Sequence, residues 1–121
     1  MIKVAKCEKC GEIVEYITKG EVHAEGFKVL KPNTTDAATE KHVPVVEVKG
    51  NTVKVTVGST LHPMTEEHLI NFIMLETSNG VHRVDLTAKD EPIATFALVD
   101  GEKPIAAYEY CNLHGFWMKE L

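Results

Sequence analysis

Near the C-terminus, Tyr110-Cys111-Asn112-Leu113-His114-Gly115 sets a cysteine and a histidine three residues apart, directly after a β-like run. A thiolate sulfur and a neutral imidazole nitrogen are both good ligands for borderline or soft metals. More imidazoles recur upstream: His42 opens a valine-rich run, and His62 and His68 bracket Pro63-Met64-Thr65-Glu66-Glu67. Each falls at or near a predicted strand end, where a rigid scaffold can turn side chains from separate loops toward one point. One thiolate with several imidazoles suits iron, copper or zinc and excludes sites built from hard oxygen ligands. A structural zinc would stop at four ligands. Five protein ligands would leave one octahedral position for a small oxygen species on redox-active iron. Two other classes stay open at this level: a blue-copper-like electron carrier using Cys111-x-x-His114-x-x-x-Met118, and a zinc-structured interaction domain.

A second thiol pair stands at the other end of the chain. Cys7-Glu8-Lys9-Cys10-Gly11 is a C-x-x-C-G knuckle, in which the glycine permits a tight turn that aims both sulfurs one way. A tetrahedral site needs four ligands, and His23 is the only other soft candidate nearby. The pair reads either as free or occasionally oxidised thiols or as a second metal site, with zinc the expected ion. His23 and His82 are otherwise taken as surface or structural residues.

The elements that must position these side chains are short and β-rich. Val43 to Val48 and Thr52 to Val57 flank Lys49-Gly50-Asn51, and His68 to Glu76 joins Val81 to Leu86 through Ser78-Asn79-Gly80. Asp100-Gly101 signals a further hairpin between Ile93 to Val99 and Ile105 to Tyr110. Thr65-Glu66-Glu67-His68 is the one candidate helical turn. Six or seven strands at this spacing predict an all-β fold, an antiparallel β-sandwich, with residues 1–32 as a small N-terminal appendage and 33–121 as the main domain. Lys31 to Asp36 reads as the linker.

Bulk composition narrows the function classes. With 121 residues, 44% hydrophobic and 26% charged, the chain is neither disordered nor membrane-spanning. A net charge of -5 argues against nucleic acid as a partner and means that an anionic substrate needs a local positive group. Three cysteines, an odd count, fit a reducing compartment, so a cytoplasmic protein is expected.

Three separated motifs, Asp36-Ala37-Ala38-Thr39-Glu40-Lys41-His42-Val43-Pro44-Val45, His62-Pro63-Met64-Thr65-Glu66-Glu67-His68 and Glu109-Tyr110-Cys111-Asn112-Leu113-His114-Gly115, resemble the superoxide reductase family of desulfoferrodoxins and neelaredoxins over residues 33–121. The resemblance implies an immunoglobulin-like sandwich and an iron with His42, His62, His68 and His114 equatorial and Cys111 axial. It implies Glu40 as a sixth ligand of the ferric state and Lys41 as the cation that assists superoxide. The implied reaction is one-electron reduction of superoxide to hydrogen peroxide, with rubredoxin or a similar small carrier as donor and a homodimer or homotetramer as the assembly. Two-iron members carry four cysteines in an N-terminal desulforedoxin-like module. Here Cys7 and Cys10 remain while the later pair falls near Val22-His23, so the chain resembles the single-iron class with a degenerate module. Backbone N–H groups of Leu113 and His114 are expected to tune the Cys111 sulfur.

Overall fold

The protein is described here from a computed structural model that covers residues 1–18, 20–21, 25–36 and 41–121. The chain divides into two compact units, Met1–Lys31 and Pro32–Leu121. Among the described residues all ten elements are β-strands, and no helix is long and apolar enough to cross a membrane.

The first unit is a three-stranded antiparallel sheet. β1 (Val4–Cys7) lies between β2 (Ile13–Glu15) and β3 (Phe27–Val29). Its strands are only three or four residues long, with Val4 and Ala5 of β1 buried. Such brief strands leave almost no period-2 signal, which is why the sequence revealed only the turn between them.

The second unit is an antiparallel sandwich of two sheets. One has the order β4 (Pro44–Lys49), β5 (Thr52–Val57), β8 (Ile93–Ala97). The other runs β10 (Gly115–Glu120), β9 (Pro104–Cys111), β6 (Ile70–Thr77), β7 (Gly80–Asp85). The reason for the first sheet is written in β5, where Val53, Val55 and Val57 alternate with Thr52, Lys54 and Thr56 and are wholly buried. Each buried valine contributes about 1.5–3 kcal/mol through apolar area removed from water. Ala94 and Phe96 of β8 sit opposite Val55 and Val53 and complete that inner face. Pro44, which lacks an N–H, is tolerated because β4 is an edge strand and Pro44 is its first residue.

In the second sheet, Ile70 pairs with Cys111 but Phe72 pairs with Tyr110, so Asn71 is an extra residue on β6. This bulge inverts the alternation, and both Ile70 and the odd-numbered Ile73 and Leu75 therefore enter the core. It also falls beside Cys111. Paired residues share a face, so Cys111, Glu109 and Ala107 of β9 point inward together with Trp117 of β10, which is opposite Glu109.

Several sequence expectations change. Asp100-Gly101 does not close a hairpin. β8 belongs to one sheet and β9 to the other, so the turn carries the chain across the sandwich. β10 is a strand that the sequence reading did not name. Thr65 to His68 forms a bend held by reciprocal backbone bonds, Thr65 N–H to His68 O (2.9 Å) and His68 N–H to Thr65 O (3.2 Å), rather than a helical turn. Nor is the segment after Lys31 a free linker. Asn33 N–H donates to Phe116 O and Met118 N–H to Asn33 O, both at 2.9 Å, which covers the open edge of β10. Finally, His82 has a partner in Glu102, its Nε2 lying 2.8 Å from Oε2.

Candidate metal centre

Donor atoms of His42, His62, Cys111 and His114 lie within 4.8 Å of one another, at one end of the sandwich. Cys111 ends β9, and Asn112, Leu113 and His114 form the turn back into β10 at Gly115, which adopts φ 88°. A glycine in the left-handed region lets this short hairpin close, bringing His114 Nδ1 to 3.8 Å from Cys111 Sγ. His62 arrives from the loop after β5, its N–H bonded to Val57 O at 3.1 Å and its Nε2 3.7 Å from the same sulfur.

His68 is not one of that tight group, yet its ring belongs with them. Ring centroids are 4.8 Å apart for His42 and His62, 4.6 Å for His62 and His68, 5.1 Å for His68 and His114, and 5.0 Å for His114 and His42. Each imidazole adjoins two others, so the four form a closed square, with Cys111 near two of its corners.

Metal bonds of about 2.0–2.3 Å would put neighbouring donor atoms about 3 Å apart and opposite ones about 4 Å apart. The sulfur–nitrogen distances of 3.7 and 3.8 Å exceed the first figure by a few tenths of an ångström, so small side-chain movements complete a shell. The donor set therefore fits a borderline metal such as iron.

Neighbouring groups fix the rings. His62 Nδ1 is 2.7 Å from the Pro63 carbonyl, which can only accept, so Nδ1 carries the proton and Nε2 keeps its lone pair on the sulfur side. His42 Nδ1 lies 3.4 Å from Oε2 of the fully buried Glu109, and Trp117 stacks on its ring with centroids 4.7 Å apart. The Asp36 carboxylate accepts from the N–H groups of His42 (2.6 Å) and Val43 (2.8 Å), holding the chain just before β4. Asn112 ties the His114 turn to the His68 loop: Leu69 N–H donates to its Oδ1 at 3.0 Å, and its Nδ2 donates to Glu67 O at 3.0 Å.

Lys41 is half-buried beside His42. Its backbone passes so close to Gly58, the residue after β5, that a Cβ there would stand 2.2 Å from the Lys41 carbonyl oxygen. Gly58 is required by that approach and not by its backbone angles. Glu40 lies outside the described residues, as does His23. Cys7 and Cys10 form no group of three or more ligands among the described residues.

Sequence reasoning missed Glu109, Asp36, Asn112, Trp117 and Gly58 as parts of this site. Glu109 alone carried a signal: two residues before Cys111 on a strand, it had to share the cysteine's face. The copper reading loses its axial ligand, because Met118 pairs with Tyr108 and so projects from the sheet face opposite to Cys111 and Trp117.

Comparison with known proteins agrees with this geometry. Residues 34–120 match the Desulfoferrodoxin family, described as desulfoferrodoxin. The desulfoferrodoxin of Syntrophotalea carbinolica is 45% identical over 123 residues, covering 98% of this chain and 96% of that protein. The superoxide reductase of Pyrococcus furiosus is 39% identical over 108 residues, covering 68% of this chain and 87% of the relative. Among solved structures, the superoxide reductase from Treponema pallidum superposes with a TM-score of 0.83 at 34% identity, covering 99% of this chain and 98% of that one. The chain belongs to the desulfoferrodoxin family.

Proposed function

We propose that the protein is a superoxide reductase, an oxidoreductase that converts superoxide, one electron and two protons into hydrogen peroxide. The observation that carries this reading is the square of four imidazoles beside a buried cysteine sulfur. Family membership and relatives named superoxide reductase support it.

In this reading His42, His62, His68, His114 and Cys111 would together hold a mononuclear iron. The chemistry such an ion supplies when bound is one-electron exchange with a small oxygen anion. Cys111 is fully buried, and its sulfur, bound to such an ion as a thiolate, would donate charge to it, as thiolate ligands do in haem proteins. N–H groups of Leu113 and His114 directed at the sulfur would moderate that donation. Lys41 answers the electrostatic problem of an acidic protein by placing one positive charge near the site. Glu40, next to it, is assigned as an anionic ligand of the oxidised centre; an oxidised spectrum unchanged by Glu40→Ala at every pH would remove that role. His114 is exposed while His42, His62 and Cys111 are buried, so solvent protons reach the site from the His114 side.

Leu61 and Leu113, each next to a ligand in sequence, are 54% and 60% exposed and offer an apolar rim to a small electron donor of the rubredoxin kind. We further assign the chain to the single-iron class, with residues 1–32 as a degenerate desulforedoxin-like module, a cytoplasmic location and a homo-oligomeric assembly. Metal analysis with the visible spectrum of the oxidised protein tests the reading. One iron per chain, with a thiolate-to-iron absorption band lost in Cys111→Ser, is expected; zinc or copper at one per chain after iron-replete growth would overturn it.

A further inference from the structure

The β1–β2 hairpin carries two thiols for which the proposed iron centre has no use. Cys7 ends β1, and Glu8, Lys9 and Cys10 form the turn that follows. Gly11 N–H donates to Cys7 O at 2.9 Å, Cys7 N–H donates to Glu12 O at 2.8 Å, and Gly11 adopts φ 75°. A turn closed from residue i+4 back to i is α-like, and α geometry sets residues three apart about 5 Å from Cα to Cα. Disulfides span about 4.4–6.8 Å between the same atoms, so this turn can take one without unfolding.

The two sulfurs differ in ways that assign them roles. Cys7 is half-buried and accepts the Cys10 N–H at 3.4 Å, whereas Cys10 is exposed. Hydrogen bonds, from the Cys10 thiol first and then from the backbone N–H groups of Cys10 and Lys9, hold the Cys7 thiol below its ordinary value, while burial acts in the opposite sense. Lys6 and Lys9 are balanced in number by Glu8 and Glu12, so the turn's hydrogen bonds rather than a net positive field favour the thiolate. Among the described residues no third ligand joins the pair, and two sulfurs do not complete a tetrahedral metal site.

We propose that Cys7 and Cys10 are a dithiol–disulfide pair oxidised by hydrogen peroxide, with Cys7 the attacking and Cys10 the resolving thiol. The Cys7 thiolate attacks one peroxide oxygen, the oxygen–oxygen bond breaks, and Cys7 becomes a sulfenic acid while the departing hydroxide takes a proton and leaves as water. Cys10 sulfur then attacks Cys7 sulfur; the sulfur–sulfur bond forms and the sulfenic oxygen leaves, with two protons, as a second water. Two thiols and one peroxide thus give one disulfide and two waters, the sulfurs losing the two electrons that the peroxide gains. Peroxide is the product of the activity proposed above, and only in the source of the oxidant does this inference rest on that reading.

The test supplies peroxide as a reagent, so the two proposals fail separately. Metal-loaded, full-length protein is reduced, freed of reductant and given one equivalent of hydrogen peroxide, then read by thiol titration and intact and peptide mass spectrometry. The expected result is loss of two thiols, a mass lower by two hydrogen atoms, a Cys7–Cys10 link within one chain, and full reversal by dithiothreitol. Cys10→Ser should stop at a sulfenic acid on Cys7 that dimedone labels. Cys7→Ser should lose the remaining Cys10 thiol at least about tenfold more slowly, as expected for a thiol without those hydrogen bonds. Retention of both thiols, oxidation confined to Cys111, a link between two chains, or a metal ion bound to the pair at one per chain would each overturn the proposal.

Discussion

His42 and Glu109 meet across the sandwich, the imidazole Nδ1 lying 3.4 Å from Oε2 of a carboxylate with no solvent exposure. Glu109 faces inward because it shares the alternation of Cys111 on β9, and His42 reaches it from the segment that leads into β4. A carboxylate against Nδ1–H directs the other nitrogen, Nε2, outward as a ligand and raises its basicity. Glu109→Ala should therefore weaken metal retention about ten- to hundredfold, whereas Glu109→Gln, which keeps an acceptor oxygen beside Nδ1, should lose less. Metal release to a chelator, followed by absorbance, measures the order; an alanine variant as retentive as the parent would show that Glu109 does not orient His42.

Gly58 should tolerate no side chain. A methyl group there would stand 2.2 Å from the Lys41 carbonyl oxygen and 2.8 Å from its Cβ, so the backbone beside His42 must move. Gly58→Ala is expected to lower the bimolecular rate with superoxide and to cost about 1–3 kcal/mol of stability, as overpacking commonly does. Pulse radiolysis and urea unfolding read the two effects; an unchanged rate and midpoint would mean that the segment yields without consequence.

Lys41→Ala should slow the encounter with superoxide about tenfold at low salt, and its rate should depend less on ionic strength than that of the parent. The remaining charge of the chain is negative and repels the anion. Equal rates and equal salt slopes in the two proteins would remove Lys41 from the steering role.

Glu102 ties the far end of the sandwich to pH. Its carboxylate accepts from the Thr77 hydroxyl and from His82, and its Oε1 from the Val99 N–H at 3.2 Å. These bonds, Thr77's first and His82's next, hold the carboxyl below its ordinary value. Between the depressed folded pKa and the unfolded one near about 4.3, the unfolded chain binds more protons. The contribution to stability is thus complete above about pH 4.3 and is lost as pH falls through the folded value. Glu102→Gln should flatten the acid limb of a melting-temperature profile below about pH 4.3; an acid limb as steep as the parent's would assign that loss to other carboxylates.

Much of the sandwich is legible in the chain because β5 and its neighbours alternate valines with polar residues, and glycine-bearing turns mark Gly50 and Gly80. Turn chemistry alone does not tell a hairpin from a crossing between sheets, so Asp100-Gly101 predicts a hairpin where the chain passes from one layer to the other. His42, His62, His68, Cys111 and His114 stood out by residue type. Their support did not: Gly58 matters through a contact with Lys41, seventeen positions away, and Asn112 through bonds to Glu67 and Leu69, and neither leaves a local pattern.

The most direct test of the account is the stoichiometry of superoxide consumption by the iron-loaded protein supplied with a reducing electron donor. One peroxide formed for each superoxide consumed, with one electron drawn from the donor and no oxygen released, is the predicted result. One peroxide and one oxygen for every two superoxides, with the donor untouched, would contradict it.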